Sequence, residues 1–381
     1  MPAIKLAKED DGFSRLIENY LRELFDERNV SDLQRKKLWK FYYDELSQGV
    51  ANGYNPSLEN YDPALANSLK YNISEFSAFK ETSFRKQLEG MLTKNGKIIP
   101  WSKFKEKALA VSGDYNKRWL KSEYHHTVAT ANMAGKFKDF EANQDLYPNL
   151  KYVTVGDKRV RQKHENWDGL ILPINHPWWK KHLPPNDWGC RCGVEPSDEE
   201  KSNVIPEGDV KSGFANNPAQ TGEVFKDITY KEGLSDLEQD NATAMANKMF
   251  REEPATRAYI KSQRKEIKLW GRENLIGSTI KHKSLENPIG FNVSGLKEFA
   301  NQPYKFEVEK LKILKNIQSV VKDSKYLGSR SIQDNVMLRR SHILEIDVKE
   351  EKSWLVLREL KNGEVFLYSI SDGVKITKGL K

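Results

Sequence analysis

The stretch from Gly156 to Cys192 constrains this chain more than any other. It shows neither the 3.6-residue period of an amphipathic helix nor the alternation of a half-buried strand. It holds both cysteines of the protein, three of its seven histidines (His164, His176, His182), four of its nine tryptophans (Trp167, Trp178, Trp179, Trp188) and the pair Pro184-Pro185. Asp168-Gly169 and Asn186-Asp187 are turn formers. A long irregular segment inside a compact chain must offset the entropy of ordering it. Its composition offers three ways to do so: a metal ion, packed indoles, or a partner surface.

Cys190 and Cys192 are separated by one residue, which is too close for the framework of a disulfide-stapled domain. Two thiolates at this spacing can hold one Zn²⁺, although the Cys-x-x-Cys spacing is the commoner arrangement, and His164, His176 and His182 supply nearby imidazoles. The competing reading is that both thiols stay reduced and pack against tryptophan. A Cys190–His164 nucleophile and base is a third option that nothing in the spacing demonstrates. His125 and His126, on a helical run, have no motif partner at ligand spacing and read as ordinary helix residues.

The order Asp157-Lys158-Arg159-Val160-Arg161, His164, Asp168-Gly169, Pro184-Pro185-Asn186 and Gly189-Cys190-Arg191-Cys192 closely resembles the phage Mu-type head morphogenesis, or minor capsid, family. The resemblance runs from about Lys80 to Pro196. It implies a low-copy protein of the phage head, with portal and capsid proteins as partners, made in the bacterial host cytoplasm and carried in the virion head. His164 is the imidazole that matches the family, and its co-occurrence with Cys190 and Cys192 in the one cysteine-containing segment predicts that the three form one cluster, with or without a structural zinc. Domains of this family are often fused to C-terminal toxin-like or enzyme domains.

A chain of 381 residues is long for one domain. Residues 1–196 read as the first, 197–260 as a linker with helical segments, and 261–381 as the last. No apolar run approaches the roughly 20 residues of a membrane span, and the first residues show no apolar signal core. A reducing site of synthesis follows from the cysteine usage. The charge is uneven: residues 1–261 balance 39 Lys+Arg against 39 Asp+Glu, whereas 262–381 hold 23 against 15, so the whole excess of +8 lies in the last third. Such a basic segment suits an anionic partner such as nucleic acid.

In the first part, Leu16, Tyr20, Leu24 and Phe25 recur at helical spacing over 12–48, and Ser31 with Gln34 forms a capping-box pattern. Helices are expected over 74–92, from Trp101, and over 114–144. The linker contains a helix over 235–250, with Ser235 and Glu238 as its capping pair, and another over 255–270.

The last third is expected to be an α+β domain: a helix over 304–326, then strands over 342–348, 353–360 and 364–370. Lys361-Asn362-Gly363 signals a hairpin, and Trp354, Val356 and Arg358 alternate with Leu355, Leu357 and Glu359 as a sheet with one buried face requires. The fold class expected is therefore multidomain: a mostly α first domain with an irregular loop, then an α+β domain with a small antiparallel sheet. Asn274-Leu275, Gly277, Ser294-Gly295-Leu296-Lys297-Glu298, His342 and Tyr368-Ser369-Ile370 resemble phage-associated barnase–EndoU–colicin–RelE-like nuclease domains. That resemblance implies RNA cleavage without a metal or other cofactor. His282 and His342 would serve as acid and base, Lys297 and Arg358 would hold the phosphate, and Tyr368 and Ser369 would hydrogen-bond it. RNA would be the substrate and an immunity protein a candidate partner. The alternative is a purely structural minor capsid protein whose last domain only binds RNA or a protein.

Overall fold

The computed structural model describes residues 11–302, 304, 307–332, 336–348 and 351–380. It divides into two compact units, Met1–Phe250 and Arg251–Lys381. No helix among the described residues is long and apolar enough to cross a membrane.

The first unit begins with α1 (Asp11–Glu27), α2 (Asp32–Gly53) and α3 (Pro63–Glu89). The short hairpin β1 (Thr93–Lys94) and β2 (Lys97–Ile98) follows, then α4 (Trp101–Gly113) and α5 (Leu120–Ala142), joined through a π-helical turn, Asp114–Trp119. Ser31 caps α2 by accepting from the Gln34 N–H, Asp62 caps α3 by accepting from Ala64, and Pro63 occupies the first turn where its missing N–H is harmless. Trp39, Tyr42 and Leu46 of α2, Phe79 and Phe84 of α3, and Phe104 and Phe137 beyond them fill one core. Helices α2 and α5 cross closely enough that a Cβ on Gly53 would lie 2.4 Å from the Val128 carbonyl oxygen, so only glycine fits there.

Two adjacent charges of α3 are sunk in that core. Lys80 donates to both carboxylate oxygens of Glu123, at 2.9 and 2.8 Å. Glu81 is fully buried, accepting from Tyr20 at 2.7 Å and pairing with Arg35 at 3.2 Å. Nothing in the helical periodicity of α3 announces them.

Beyond α5 come β3 (Asn149–Val153), α6 (Gln162–Glu165), β4 (Ile171–Pro173), α7 (Trp179–His182) and β5 (Gly193–Ser197), with the antiparallel order β4-β3-β5. Then follow α8 (Pro218–Thr221) and α9 (Asp236–Glu252). The expectation that 197–260 is a linker does not hold. Val224, Phe225, Ile228, Ala242, Ala246 and Phe250 are buried in the core of the first unit, and the boundary falls after Phe250. Phe225 stacks on Phe76 at 3.8 Å, and the Asn72 side chain accepts from the N–H groups of Val224 and Phe225 at 2.9 and 2.8 Å. A polar, turn-rich sequence disguises this segment, because a few apolar anchors and one buried amide suffice to fasten it.

The second unit is led by α10 (Pro254–Asn274), followed by β6 (Thr279–Ile280), β7 (Ile289–Gly290) and α11 (Val293–Asn301). Next come α12 (Glu307–Lys315), α13 (Ile317–Asp323), β8 (Lys325–Ser331), β9 (Leu338–Val348), β10 (Glu351–Leu360) and β11 (Val365–Ser371). The six strands form one sheet in the order β6-β7-β11-β10-β9-β8, with β7 parallel to β11 and every other pair antiparallel. The single helix expected over 304–326 is instead two short ones and the start of a strand. The hairpin at Lys361-Asn362-Gly363 is present, with Gly363 at φ +90°. Its strand β10 is covered on both faces rather than one: Leu355 and Leu357 point one way, while Trp354 and Val356 pack with Ile343 under Tyr368, Ile376 and Leu380. The Ser294-Gly295-Leu296 motif also acquires a local cause. Asn292 caps α11 by accepting from Gly295 N–H at 2.7 Å, and a Cβ on Gly295 would lie 2.0 Å from the Leu367 carbonyl oxygen.

Candidate functional site

Strands β3 and β5 pair from Asn149↔Ser197 to Val153↔Gly193 and so pin the two ends of the irregular segment side by side. Cys192 immediately precedes β5. The short helix α6 carries His164 in between, fully buried, with its ring stacked on Trp167 at 5.4 Å. Nδ1 of His164 lies 3.7 Å from the sulfur of Cys190 and 3.7 Å from that of Cys192. The three candidate ligand atoms all fall within 4.8 Å of one another. Both cysteines are free thiols, half-buried.

The two thiols titrate as a pair. The neighbouring Cys192 thiol, opposed by burial and helped by His164, holds Cys190 well below the ordinary thiol range, while Cys190 and burial push Cys192 up. The Tyr152 hydroxyl, which donates to Asn186 Oδ1 at 2.9 Å, also lies against Cys192.

A rim of ion pairs surrounds this cluster. Arg191, between the cysteines, makes a two-pronged contact with Asp157 at 2.7 and 2.7 Å, and holds that carboxyl well below its usual range. Arg161 reaches Asp187 at 3.2 Å and donates to the Trp188 carbonyl at 2.8 Å. The rim thus consists of two pairs, Arg191 with Asp157 and Arg161 with Asp187. His126 of α5 packs behind the rim, against Trp188, Phe214 and Phe225, and burial lowers its pKa to about 4.

His176 and His182, considered as further ligands, lie outside the cluster. His176 Nδ1 accepts from Trp178 N–H at 3.2 Å. His182 stacks on Trp178 at 4.2 Å and faces the Trp178 and Gly208 carbonyls, each at 3.1 Å. Indole packing and the three-residue cluster therefore coexist in the one loop.

In the second unit the proposed catalytic residues are dispersed. His282 is buried, with Nε2 3.2 Å from the Ser324 carbonyl and Nδ1 accepting from Ser284 N–H. His342 pairs across the sheet with Leu357, one residue from Arg358, so strand alternation sends His342 and Arg358 to opposite faces. Arg358 donates to Ser341 Oγ at 2.6 Å and lies over the Tyr368 ring at 4.7 Å. Ser369 sits opposite Val356 on that same face. Lys297 is exposed on α11. What His342 does meet is Glu359, Nε2 to carboxylate at 2.8 Å, with the Tyr326 hydroxyl 3.1 Å from Nδ1. Arg339 and Arg340 reach the same carboxylate at 2.9 and 3.2 Å. The available signal was Glu359 standing in register with Leu355 and Leu357, a carboxylate at a position the alternation buries.

Residues 64–195 match the family described as Phage Mu protein F like protein, and residues 258–368 match the family described as Large polyvalent protein-associated domain 3. Protein F of Escherichia phage Mu, whose name refers to capsid assembly, is 36% identical over 77 residues, 20% of this chain and 18% of that protein. The Mu-like prophage FluMu F protein of Haemophilus influenzae is 35% identical over 115 residues, 30% of this chain and 27% of that protein. The matched stretches thus span less than a third of either relative's length. No solved structure matches the chain significantly. The Cys/His loop falls within the stretch that matches the Mu F-like family.

Proposed function

We propose that this protein is a phage or prophage head-assembly component, made in the bacterial cytoplasm and built into the virion head beside portal and capsid proteins. The match over residues 64–195 carries this reading, because it spans the Cys/His loop with its His164, Cys190 and Cys192 cluster. Deleting the gene from its phage or prophage should yield defective heads, and the protein should be found by mass spectrometry in purified heads. Normal heads without it, or its absence from them, would count against the reading.

Within that role, we propose that His164, Cys190 and Cys192 hold one structural zinc ion. With zinc bonds of about 2.3 Å to sulfur and about 2.0 Å to nitrogen, a tetrahedron places its N and S vertices about 3.5 Å apart. The observed separations of 3.7 Å are close to that. Bound zinc would fix the loop and take both thiols as thiolates. Elemental analysis of the full chain should find one zinc per molecule, lost in Cys190→Ser and Cys192→Ser and retained in His176→Ala. Metal-free protein with a fully ordered loop would favour thiol packing.

A second reading is carried by the His342–Glu359 pair: the second unit cleaves RNA without a metal. An imidazole bonded to a carboxylate and flanked by Tyr326, Arg339 and Arg340 supplies a proton-transfer group and cations for a phosphorane. RNA incubated in EDTA should then give 2′,3′-cyclic phosphate ends with wild type, and His342→Ala and Glu359→Gln should each cut more slowly by roughly 10²–10⁴-fold. RNA left intact by the wild type would leave the pair as a cross-strand ionic tie and the unit as a binding module.

A further inference from the structure

The second unit carries a charged surface that neither reading uses. Arg257, Lys261, Lys265, Lys268 and Arg272 of α10 follow one another at three or four residues, which places them on one face of the helix. From Arg257 to Arg272 the row runs about 22 Å, with steps of about 4.5–6 Å along the axis. The face borders an open groove of about 1030 Å³, lined by Arg257, Lys261, Lys265 and Lys268 with Arg251 and Arg264. A second depression of about 410 Å³ shares Lys265 and Lys268 and adds Arg272 and Lys297. The two are therefore one continuous basic track.

Two carboxylates beside it already have partners. Glu307, the acidic residue of the groove, is held by Arg264 at 2.6 Å and by Lys310 at 2.9 Å. Glu266 pairs with Lys315 at 3.1 Å. Among the described residues, Arg257, Lys261, Lys265, Lys268, Arg272 and Lys297 form no ion pair. Like charges one helical turn apart repel, and a helix exposed only to water gains nothing from such a row. A ligand with anions repeated at similar intervals would turn the repulsion into attraction.

We propose that this face of α10, with Lys297, is a track for the phosphate backbone of a nucleic acid. Five of the six unpaired cations lie in one row along a single helix, which suits a linear polyanion better than one compact phosphate. Lysine predominates in the centre of the row, and lysine acts toward phosphate as a point charge rather than a base-reading fork. Binding is therefore independent of base sequence. The track is separate from the His342–Glu359 pair and stands whether or not that pair is catalytic.

The test is fluorescence anisotropy on the full chain in EDTA, with a 20-nucleotide single-stranded DNA and a 20-base-pair DNA duplex. Neither has the 2′-hydroxyl that metal-free cleavage requires, so binding is read without turnover. With six phosphate contacts, the logarithm of the association constant should fall against the logarithm of salt concentration with a slope of about −4 for the single strand or about −5 for the duplex. Raising salt from 50 to 200 mM should then weaken binding a few-hundred-fold or about a thousandfold, and the slope shows which form the track prefers. Lys261→Glu/Lys265→Glu/Lys268→Glu should lose at least about 30-fold at 50 mM salt. Lys180→Glu/Lys181→Glu, exposed in the first unit, should lose none beyond the small change expected from net charge. Thermal melting of each variant checks that the fold is kept. No binding of either DNA at 50 mM salt, undiminished binding by the triple variant, or equal affinity for poly-glutamate would overturn the proposal, the last pointing to an acidic protein partner.

Discussion

Replacing Lys80 with methionine tests how the core of the first unit tolerates charge. The ammonium is wholly buried and Glu123 nearly so, and they meet at 2.8 and 2.9 Å. The Tyr230 hydroxyl sits 2.6 Å from Glu123 and 2.9 Å from Lys80. The rings of Tyr42, Tyr115 and Tyr230 surround the ammonium at 5.3, 5.4 and 4.8 Å. Burial pulls the Lys80 pKa down, and the Glu123 carboxylate opposes that pull. Methionine fills most of the lysine's volume, which keeps cavity formation small. What remains is a buried carboxylate with one hydroxyl donor among the described residues. Breaking a buried pair from one side costs about 3–5 kcal/mol.

For a unit of this size each kcal/mol moves the midpoint by about 2–4 °C, so Lys80→Met should melt about 6–20 °C lower. Urea unfolding followed by tryptophan fluorescence reads the same loss as a free energy. The double variant Lys80→Met/Glu123→Leu removes the stranded charge and should recover most of it, since a well-packed apolar replacement of a buried pair is often neutral or better. The thermodynamic cycle then assigns the coupling to this contact. A single variant within about 1 kcal/mol of wild type would show that water or a rearranged hydroxyl solvates Glu123, and the account of a sealed pair would fail.

Other expectations rest on single contacts. Because burial lowers the folded-state pKa of His126 from 6.5 to about 4, its contribution is fully present above pH 6.5 and is lost as pH falls toward 4, a change of roughly 3 kcal/mol. The stability advantage of wild type over His126→Gln should shrink by that amount between pH 7 and pH 4 in urea titrations, and a constant difference would refute it. Gly53→Ala forces apart the backbones of α2 and α5 and should cost about 1–3 kcal/mol, or more if the helices cannot shift, by thermal unfolding. Arg191→Ala removes only a half-exposed pair with Asp157, so the melting midpoint should hold. A large drop would make the rim, rather than the interior, the main support of the loop.

Much of this fold can be read where a local signal has a local cause. The capping residues are examples: Ser31 accepts from Gln34 N–H, and Ser235 exchanges bonds with Glu238 at the start of α9. The hairpin at Asn362-Gly363 is another. What stays hidden depends on partners remote in sequence. The 197–250 segment is polar along its length, yet Asn72, about 150 positions away, fastens Val224 and Phe225. Lys80 and Glu81 look like surface charges of a helix until Glu123 and Arg35 arrive. The catalytic set expected in the second unit assembles only in part, because one residue of offset on neighbouring strands exchanges the sheet's faces: Arg358, Tyr368 and Ser369 share one face. His342 and Arg358 are separated in this way, while Glu359, two positions from the residue facing His342, comes to its side.

The Gly156–Cys192 loop joins both kinds of signal. Its rare residues are conspicuous, but their roles divide into two layers that no linear reading separates. Outside, Arg191 and Asp157 are each more than a third exposed, so water and salt weaken their attraction and they mainly select a loop geometry. Inside, His164 is almost fully buried, pressed on Trp167 and facing two sulfurs at equal distance. Arg191 stands between Cys190 and Cys192 with its side chain turned to the rim, while the two flanking thiols turn inward. Successive residues of one short segment thus serve opposite layers, which gives the Cys-x-Cys spacing a physical reason: the intervening residue belongs to the rim. An inserted residue would rotate one thiol out of the cluster, and with it the loop would lose the inner contact that its exposed ion pairs are too weak to replace.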